Sequence, residues 1–327
     1  MSSPSNLQIH KLSHCDSSIT RTGPHRPFSI VAKDGGLRGC PSLQPSARSD
    51  KLSPKMLRRL SPSRLLLEST RAVSTEGHGR LVAVQQRLAD AARLAGAPTP
   101  RIVAVSKTKP PLAVRAAYDV GQRDFGENYV DELCGKWPHL PEDTRWRFVG
   151  KLALDQVDTL VSQCPALVCV ETVDSRELAD RLQRATEGSG PRAAPLGIFI
   201  QVKTSKTNAN ASFYEGGSGV SAAAAPDLAA HVAAACPGLK LHGLMTMRAP
   251  SDMSVFPKFR TLGEESCFAA LQACRRAVAA RLAVREDELE LSMGMTSDME
   301  EAVAAGSNSV RLGSSVFGAR EWPVSAQ

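Results

Sequence analysis

From residue 79 onward, the apolar positions switch between two periods. Residues 79–95 put Leu81, Val84, Leu88, Ala91, Ala92 and Leu94 on one helical side. Residues 101–106 form a β-branched run that predicts a strand, and a helix follows from Leu112. The couplet then repeats: strand 123–126 with helix 128–136, strand 146–150 with helix 153–163, strand 166–171 with helix 175–187. Strand 196–203 leads through a Gly/Ser/Asn-rich loop, 204–219, to a helix near 226–236. Strand 239–247 with helix 257–282, strand 289–294 with helix 298–305, and a last strand over 309–314 complete the series. Eight such units predict parallel strands with right-handed crossovers, an α/β fold closed into a single (β/α)8 TIM-type barrel. A doubly wound open sheet is the alternative.

Residues 1–75 sustain neither period. They are rich in Ser and Pro and carry 12 Lys/Arg against 4 Asp/Glu. The basic excess of the +7 chain therefore lies wholly in this segment, and residues 76–327 are close to neutral. That balance argues against a basic nucleic-acid-binding face on the barrel. It reads as a disordered leader with the composition of a transit peptide. From Met56, Arg58, Arg59, Arg64 and Arg71 are opposed only by Glu68, and Leu57, Leu60 and Leu65–Leu67 can form one apolar side. A mitochondrial presequence is expected, with plastid or cytoplasmic location as alternatives. No apolar run approaches the ~18 residues of a membrane span. The eight Cys make no C-x-x-C pair and no zinc spacing, so reduced thiols and no metal site are expected. A monomer is expected, since the pattern leaves no large apolar patch.

The chemistry should stand at the C-terminal ends of the strands. Alternation puts Lys107 on the face of Val103 and Val105, aimed at the barrel mouth. Desolvation there favours the neutral, nucleophilic amine that a Schiff base requires; a lysine that merely snorkels to water is the alternative. Lys109, beside Pro110 and Pro111, reads as solvated. After strand 2, Gly126 permits a turn and Asn128 can cap the next helix, leaving Asn128 and Tyr129 at the mouth. After strand 7, the Ser292 hydroxyl and the loop amides around Gly294 can meet an anion. Ser297 with Glu300 predicts a capping box, and Asp298, Glu300 and Glu301 repel phosphate from that helix end. After strand 8, Gly313, Ser314 and Ser315 offer amides and hydroxyls to phosphate oxygens. Arg311 shares the inward face with Ser309 and Gly313 and requires an acceptor there. An amine, a phosphate cradle and an inward Arg suit a phosphorylated aldehyde. A sugar-phosphate enzyme also fits, with Glu127 and Glu171 as the clear acid/base candidates.

The segments AVSKTKP (104–110), FGENYVDEL (125–133), HGLMTM (242–247), LSMGMTSDMEEAV (291–303) and VRLGSSVFGAR (310–320) resemble, in order, the YggS/PROSC family of pyridoxal phosphate homeostasis proteins. The resemblance implies an alanine racemase N-terminal-like barrel that binds pyridoxal 5′-phosphate (PLP) as a Schiff base on Lys107. It implies Ser292, Gly294, Gly313 and Ser314 around the phosphate and Asn128 among the cofactor-binding positions. Arg311 would face the ring and its pyridine nitrogen, weakening the electron sink of most PLP chemistry. The implied role is PLP homeostasis without robust turnover, with PLP-dependent apo-enzymes as partners. Gln327 follows Gly313 too closely to leave room for the racemase's second domain. A weak racemase or lyase is the alternative and needs a base from Tyr129 or Lys151; a PLP-free interaction protein is a third reading. Two segments depart from the family. Its F-I/V-G-H-L-Q-S-N-K becomes Phe148-Val149-Gly150-Lys151-Leu152-Ala153-Leu154-Asp155-Gln156, and its S-K-x-G loop becomes a longer segment, 205–219, near Lys203 and Lys206.

Overall fold

The computed structural model describes residues 62–190, 192, 194–204, 218–248 and 266–319, with side chains from residue 77. Eight parallel strands run β1 (Arg101–Val105), β2 (Asp124–Glu127), β3 (Arg145–Phe148), β4 (Leu167–Val173), β5 (Leu196–Lys203), β6 (Leu239–Met245), β7 (Glu290–Ser292) and β8 (Ser309–Leu312). Each pairs with its sequence neighbour, and β8 pairs with β1. The ring is complete, so the barrel is closed and the open-sheet alternative falls. A two-residue strand, Val220–Ser221, extends the end of β5 outside the ring.

Nine helices are described: α1 (Pro62–Ala95), α2 (Pro111–Asp119), α3 (Val130–Lys136), α4 (Val157–Gln163), α5 (Arg176–Gly188), α6 (Ala225–Ala235), α7 (Cys267–Leu282), α8 (Met299–Ala304) and α9 (Ser314–Phe317). The expected leader lies outside the described residues up to 61. From Pro62 the backbone is helical and continues into the predicted helix. The helix runs through Gly77 and Gly79, each of which costs it only ~1 kcal/mol relative to alanine. The early part of the expected 257–282 helix, residues 249–265, lies outside the described residues. The single turn α9 was not expected; it starts directly behind Gly313.

Two predicted caps form differently. Tyr129, not Asn128, is the N-cap residue of α3, without a side-chain cap bond. Asp298, not Ser297, is the N-cap residue of α8, also without a side-chain cap bond; its Oδ1 accepts from the Met295 amide in the preceding loop at 2.6 Å. Among the described residues no helix is long and apolar enough to cross a membrane. Cys134, Cys164, Cys169, Cys236, Cys267 and Cys274 are free thiols, while Cys15 and Cys40 lie outside the described residues.

The strands divide the molecule by side-chain parity. Outward residues such as Phe125, Trp146, Phe148, Ile198 and Leu312 are fully buried against helix residues such as Leu88, Leu133, Leu160 and Leu182. This layer is the main hydrophobic core. The inward faces carry a small apolar cluster of Cys169, Phe199 and Met245, together with charge. Arg147 donates to Asp124 Oδ1 at 3.0 Å and to Glu171 Oε1 at 3.1 Å. Glu171 Oε2 accepts from Ser292 Oγ at 2.6 Å, across the lumen from β4 to β7. Ser292 Oγ in turn accepts from Arg311 Nη1 at 2.6 Å, and Arg311 Nη2 donates to the Thr246 carbonyl at 2.6 Å. The chain of partners therefore runs Asp124–Arg147–Glu171–Ser292–Arg311, and all five residues are buried.

Removing one member of such a network strands its partners in a low-dielectric interior. Arg147→Ala, which leaves Asp124 and Glu171 without that cation, is expected to cost about 3–5 kcal/mol. A urea unfolding midpoint measured at unchanged slope checks this; a shift no larger than that of a surface substitution would contradict it.

Candidate functional site

The strands' C-terminal ends surround a cavity of about 420 Å³, within the range of small-molecule sites. Its lining includes Lys107, Lys109, Asn128, Arg311, Gly313 and Ser314, with Thr296 and Ser297 from the loop before α8. Val105, Val149, Met247, Met295 and Phe317 supply apolar wall. Among the described residues no carboxylate lines the cavity, while three lining residues are cationic, so the cavity favours an anionic ligand.

Lys107 stands two residues beyond the end of β1 and is held from both sides through its neighbours' backbone. Ser106 Oγ donates to Glu127 Oε1 at 2.6 Å, and Lys136 Nζ donates to the Ser106 carbonyl at 2.9 Å. On the other flank, the Thr108 amide donates to Glu132 Oε2 at 2.8 Å, with Thr108 in the left-handed region at φ 64°. That conformation is uncommon outside glycine and requires support. Lys136 joins the two grips by pairing with Glu127 at 2.7 Å and Glu132 at 2.6 Å. This network lies on the outer side of the strands, opposite the lumen. Burial raises the Glu127 carboxyl above its ordinary range, and the Lys136 ammonium pulls the other way. The Lys109 amine keeps the exposed position expected of it; its Nζ donates to the Ala319 carbonyl at 2.9 Å, and its side chain also lines the cavity.

The cavity floor depends on two glycines. Gly126 lies within β2, and an added Cβ would stand 3.0 Å from Val103 and 3.2 Å from Val105. Its role is to let the floor valines close, rather than to turn the chain. At Gly150 a Cβ would stand 2.0 Å from the Asn128 carbonyl, so the loop after β3 packs backbone to backbone against Asn128. Asn128 Oδ1 is buried and has no hydrogen-bond partner among the described residues. A buried acceptor without a donor is costly and marks a place where a ligand donor belongs.

On the far wall, Arg311 reaches the cavity with its guanidinium fixed by Ser292 Oγ and the Thr246 carbonyl. Ser292 itself does not line the cavity; it is buried and committed to Glu171 and Arg311. Gly294 also lies off the lining. Its φ of +99° and a Cβ contact of 2.6 Å with Ala302 explain the glycine by packing. At Gly313 a notional Cβ would make only ordinary contact, 3.5 Å from the Val105 carbonyl. The first helical bonds of α9 are donated by Val316 and Phe317 to the Gly313 carbonyl, so the Ser314 and Ser315 amides precede them. Thr296 Oγ1 lies 3.1 Å from Ser315 Oγ, tying the loops after β7 and β8 together.

The acidic turn of α8 is turned away from the cavity. Glu300 binds Arg87 at 3.0 Å, and Glu301 binds Arg248 at 2.9 Å. Thr296, Met247 and Met295 escaped the sequence reading, because nothing in their local pattern separates a lining residue from a loop residue. The four groups considered as acids or bases lie elsewhere. Tyr129 is 56% exposed and, like Lys151, is absent from the lining. Glu127 is engaged on the outer side and Glu171 below the floor. Lys203 is exposed at the end of β5, and Lys206 lies outside the described residues.

A family model described as alanine racemase, N-terminal domain, matches residues 80–321. A mouse protein named pyridoxal phosphate homeostasis protein is 37% identical over 245 residues, 73% of this chain and 84% of that one. An Escherichia coli (strain K12) protein of the same name is 37% identical over 230 residues, 68% of this chain and 86% of that one. Among solved structures, PipY of Synechococcus elongatus PCC7942 with PLP bound is similar, with a TM-score of 0.55 at 29% identity. It covers 74% of this chain and 100% of that chain.

Gly150→Ala is expected to cost about 1–3 kcal/mol or more, the range for forcing a methyl into a filled position. Gly135→Ala, in the open helix α3 with nothing within 4 Å of its Cβ, should be neutral or stabilising. Thermal melts of the two variants check the contrast; equal melting temperatures would contradict it.

Proposed function

This chain belongs to the pyridoxal phosphate homeostasis protein family, built on the alanine racemase N-terminal fold, and on that premise we propose that it binds PLP at the barrel mouth. Its role in this reading is intracellular PLP homeostasis, with hand-over to PLP-dependent apo-enzymes. The observation that carries the reading is the composition of one cavity: Lys107 and Arg311 converge there with a donor-seeking Asn128 Oδ1, and no carboxylate among the described residues lines it. The similar PipY structure, which carries PLP, supports it.

The residues fit the cofactor. Lys107 supplies the amine for a Schiff base to the aldehyde, on a segment whose flanking carbonyl and amide are both gripped. The amides and hydroxyls at Gly313, Ser314, Thr296 and Ser297 suit a phosphate dianion, with Lys109 adding charge. Asn128 Oδ1 can accept from a ligand hydroxyl. Ser292 and Gly294 support the walls from behind.

When bound, PLP supplies an electrophilic aldehyde and an electron-withdrawing ring. Arg311 restrains that ring. A guanidinium does not release its proton in a protein, so it can donate a hydrogen bond to a pyridine nitrogen without protonating it. Glu171 and Ser292 hold it to that task. Proton transfer at a substrate also needs a base within hydrogen-bond reach. Tyr129 and Lys151, the candidates within the barrel, do not line the cavity. Both features favour a holder of PLP over an enzyme with robust turnover. The acid-poor leader from Met56 supports import into mitochondria; a fluorescent protein fused behind residues 1–75 that stays in the cytoplasm would contradict that.

The purified full chain, mixed with PLP, is expected to develop the visible absorbance of lysine-bound PLP, and Lys107→Ala to lose it. Wild type without a chromophore would end the reading. Amino-acid turnover that disappears in Tyr129→Phe or Lys151→Ala would establish the racemase or lyase alternative.

A further inference from the structure

Three metal-donor side chains of different chemistry meet between two helices of the outer wall, and none of them lines the cavity at the barrel mouth. Asp180 stands on α5, His231 on α6, and Cys236 is the C-cap residue of α6. His231 Nε2 lies 2.6 Å from Asp180 Oδ1, and Cys236 Sγ lies 3.9 Å from the same oxygen. One donor atom from each of the three lies within 4.8 Å of the other two. Cys236 is buried, whereas the His231 and Asp180 side chains are 22% and 39% exposed. The cluster therefore has a closed thiol floor and a front that an ion can enter.

Helix packing and capping alone do not account for this set. The His231–Asp180 bond could pin α6 to α5 without a thiol behind it. A thiol is a weak donor, so aiming Cys236 at the carboxylate adds little. One carboxylate oxygen, one imidazole nitrogen and one sulfur together form a borderline donor set, which suits zinc and its neighbours rather than magnesium or calcium. The spacing agrees. Zinc bonds of about 2.0–2.3 Å in a tetrahedron place O and N about 3.4 Å apart and O and S about 3.6 Å apart. The Cys236–Asp180 separation is already near that, and the His231–Asp180 pair need only open by side-chain rotation. A thiolate and a carboxylate also neutralise a divalent cation.

We propose that Asp180, His231 and Cys236 form a zinc-type metal site that staples α5 to α6, with a fourth position open to water. On binding, the Cys236 S–H bond breaks and its proton leaves to solvent, an S–metal bond forms, and His231 coordinates as neutral imidazole. No electron transfer is involved. The site is independent of PLP and of Lys107.

The test uses the full-length, metal-free, reduced protein titrated with Co(II) and then Zn(II). Wild type should show a near-ultraviolet thiolate-to-cobalt charge-transfer band that saturates at one equivalent and is displaced by zinc. Cys236→Ser should abolish the band. His231→Ala should weaken metal binding by more than about tenfold, since losing even an outer-shell partner costs that much. Zinc should raise the melting temperature of wild type but not of Cys236→Ser, as a ligand that binds only the folded state does. Should Cys236→Ser not fold, the half-exposed Asp180→Asn carries the test, with weakened cobalt binding expected. Absence of the band in wild type, or an undiminished band in Cys236→Ser or Asp180→Asn, would overturn the proposal. PLP absorbance should be the same in all variants, so the result does not depend on the cofactor reading.

Discussion

An arginine keeps its charge, so a barrel that turns Arg147 and Arg311 inward has to supply acceptors from other strands. It does so with Asp124, Glu171 and Ser292, and Glu171 serves both ends of the series. Ion networks of this kind bring little net stability, because desolvation offsets their Coulombic gain. What they set is register. A one-residue slip of β8 would turn Val310 and Leu312 inward and drive Arg311 into the helix layer, stranding its charge there and taking its donor from Ser292 Oγ. The hydrophobic layer between strands and helices supplies the bulk of the stability; the charged lumen selects which arrangement is adopted. It also delivers one guanidinium to the cavity in a fixed orientation.

The mouth is built against this interior from two directions. Below, Gly126 lets Val103 and Val105 close the floor, and Gly150 brings the β3 loop onto the Asn128 backbone. Outside, Lys136 links Glu127 and Glu132, which hold Ser106 and Thr108 on either side of Lys107. A lysine has four rotatable side-chain bonds and loses about 2 kcal/mol of rotamer entropy when fixed. Gripping the backbone on both flanks restricts where its amine can go before any ligand arrives.

Much of this was legible in the residues. The alternation of periods counts to eight because each strand is buried on both faces and each helix on one side. Parity alone places Lys107 with Val103 and Val105, and Arg311 with Ser309. The misreadings share one cause, which is that side-chain partners distant in sequence are invisible locally. Ser292 looks like a phosphate donor until Glu171, across the lumen, takes its hydroxyl. Asn128 looks like a cap until the chain turns at Tyr129. Asp298, Glu300 and Glu301 look repulsive to phosphate until Arg87 and Arg248 turn the two glutamates away. The ordered motifs, not the periodicity, separated a PLP holder from a sugar-phosphate enzyme.

Borohydride reduction of the PLP-loaded protein, followed by peptide mapping, tests the central claim most directly. It converts a lysine-bound cofactor into a stable pyridoxyl mark. The account predicts one mark per chain, on the peptide containing Lys107. A mark on Lys109 or Lys151, or marks dispersed over surface lysines, would contradict it.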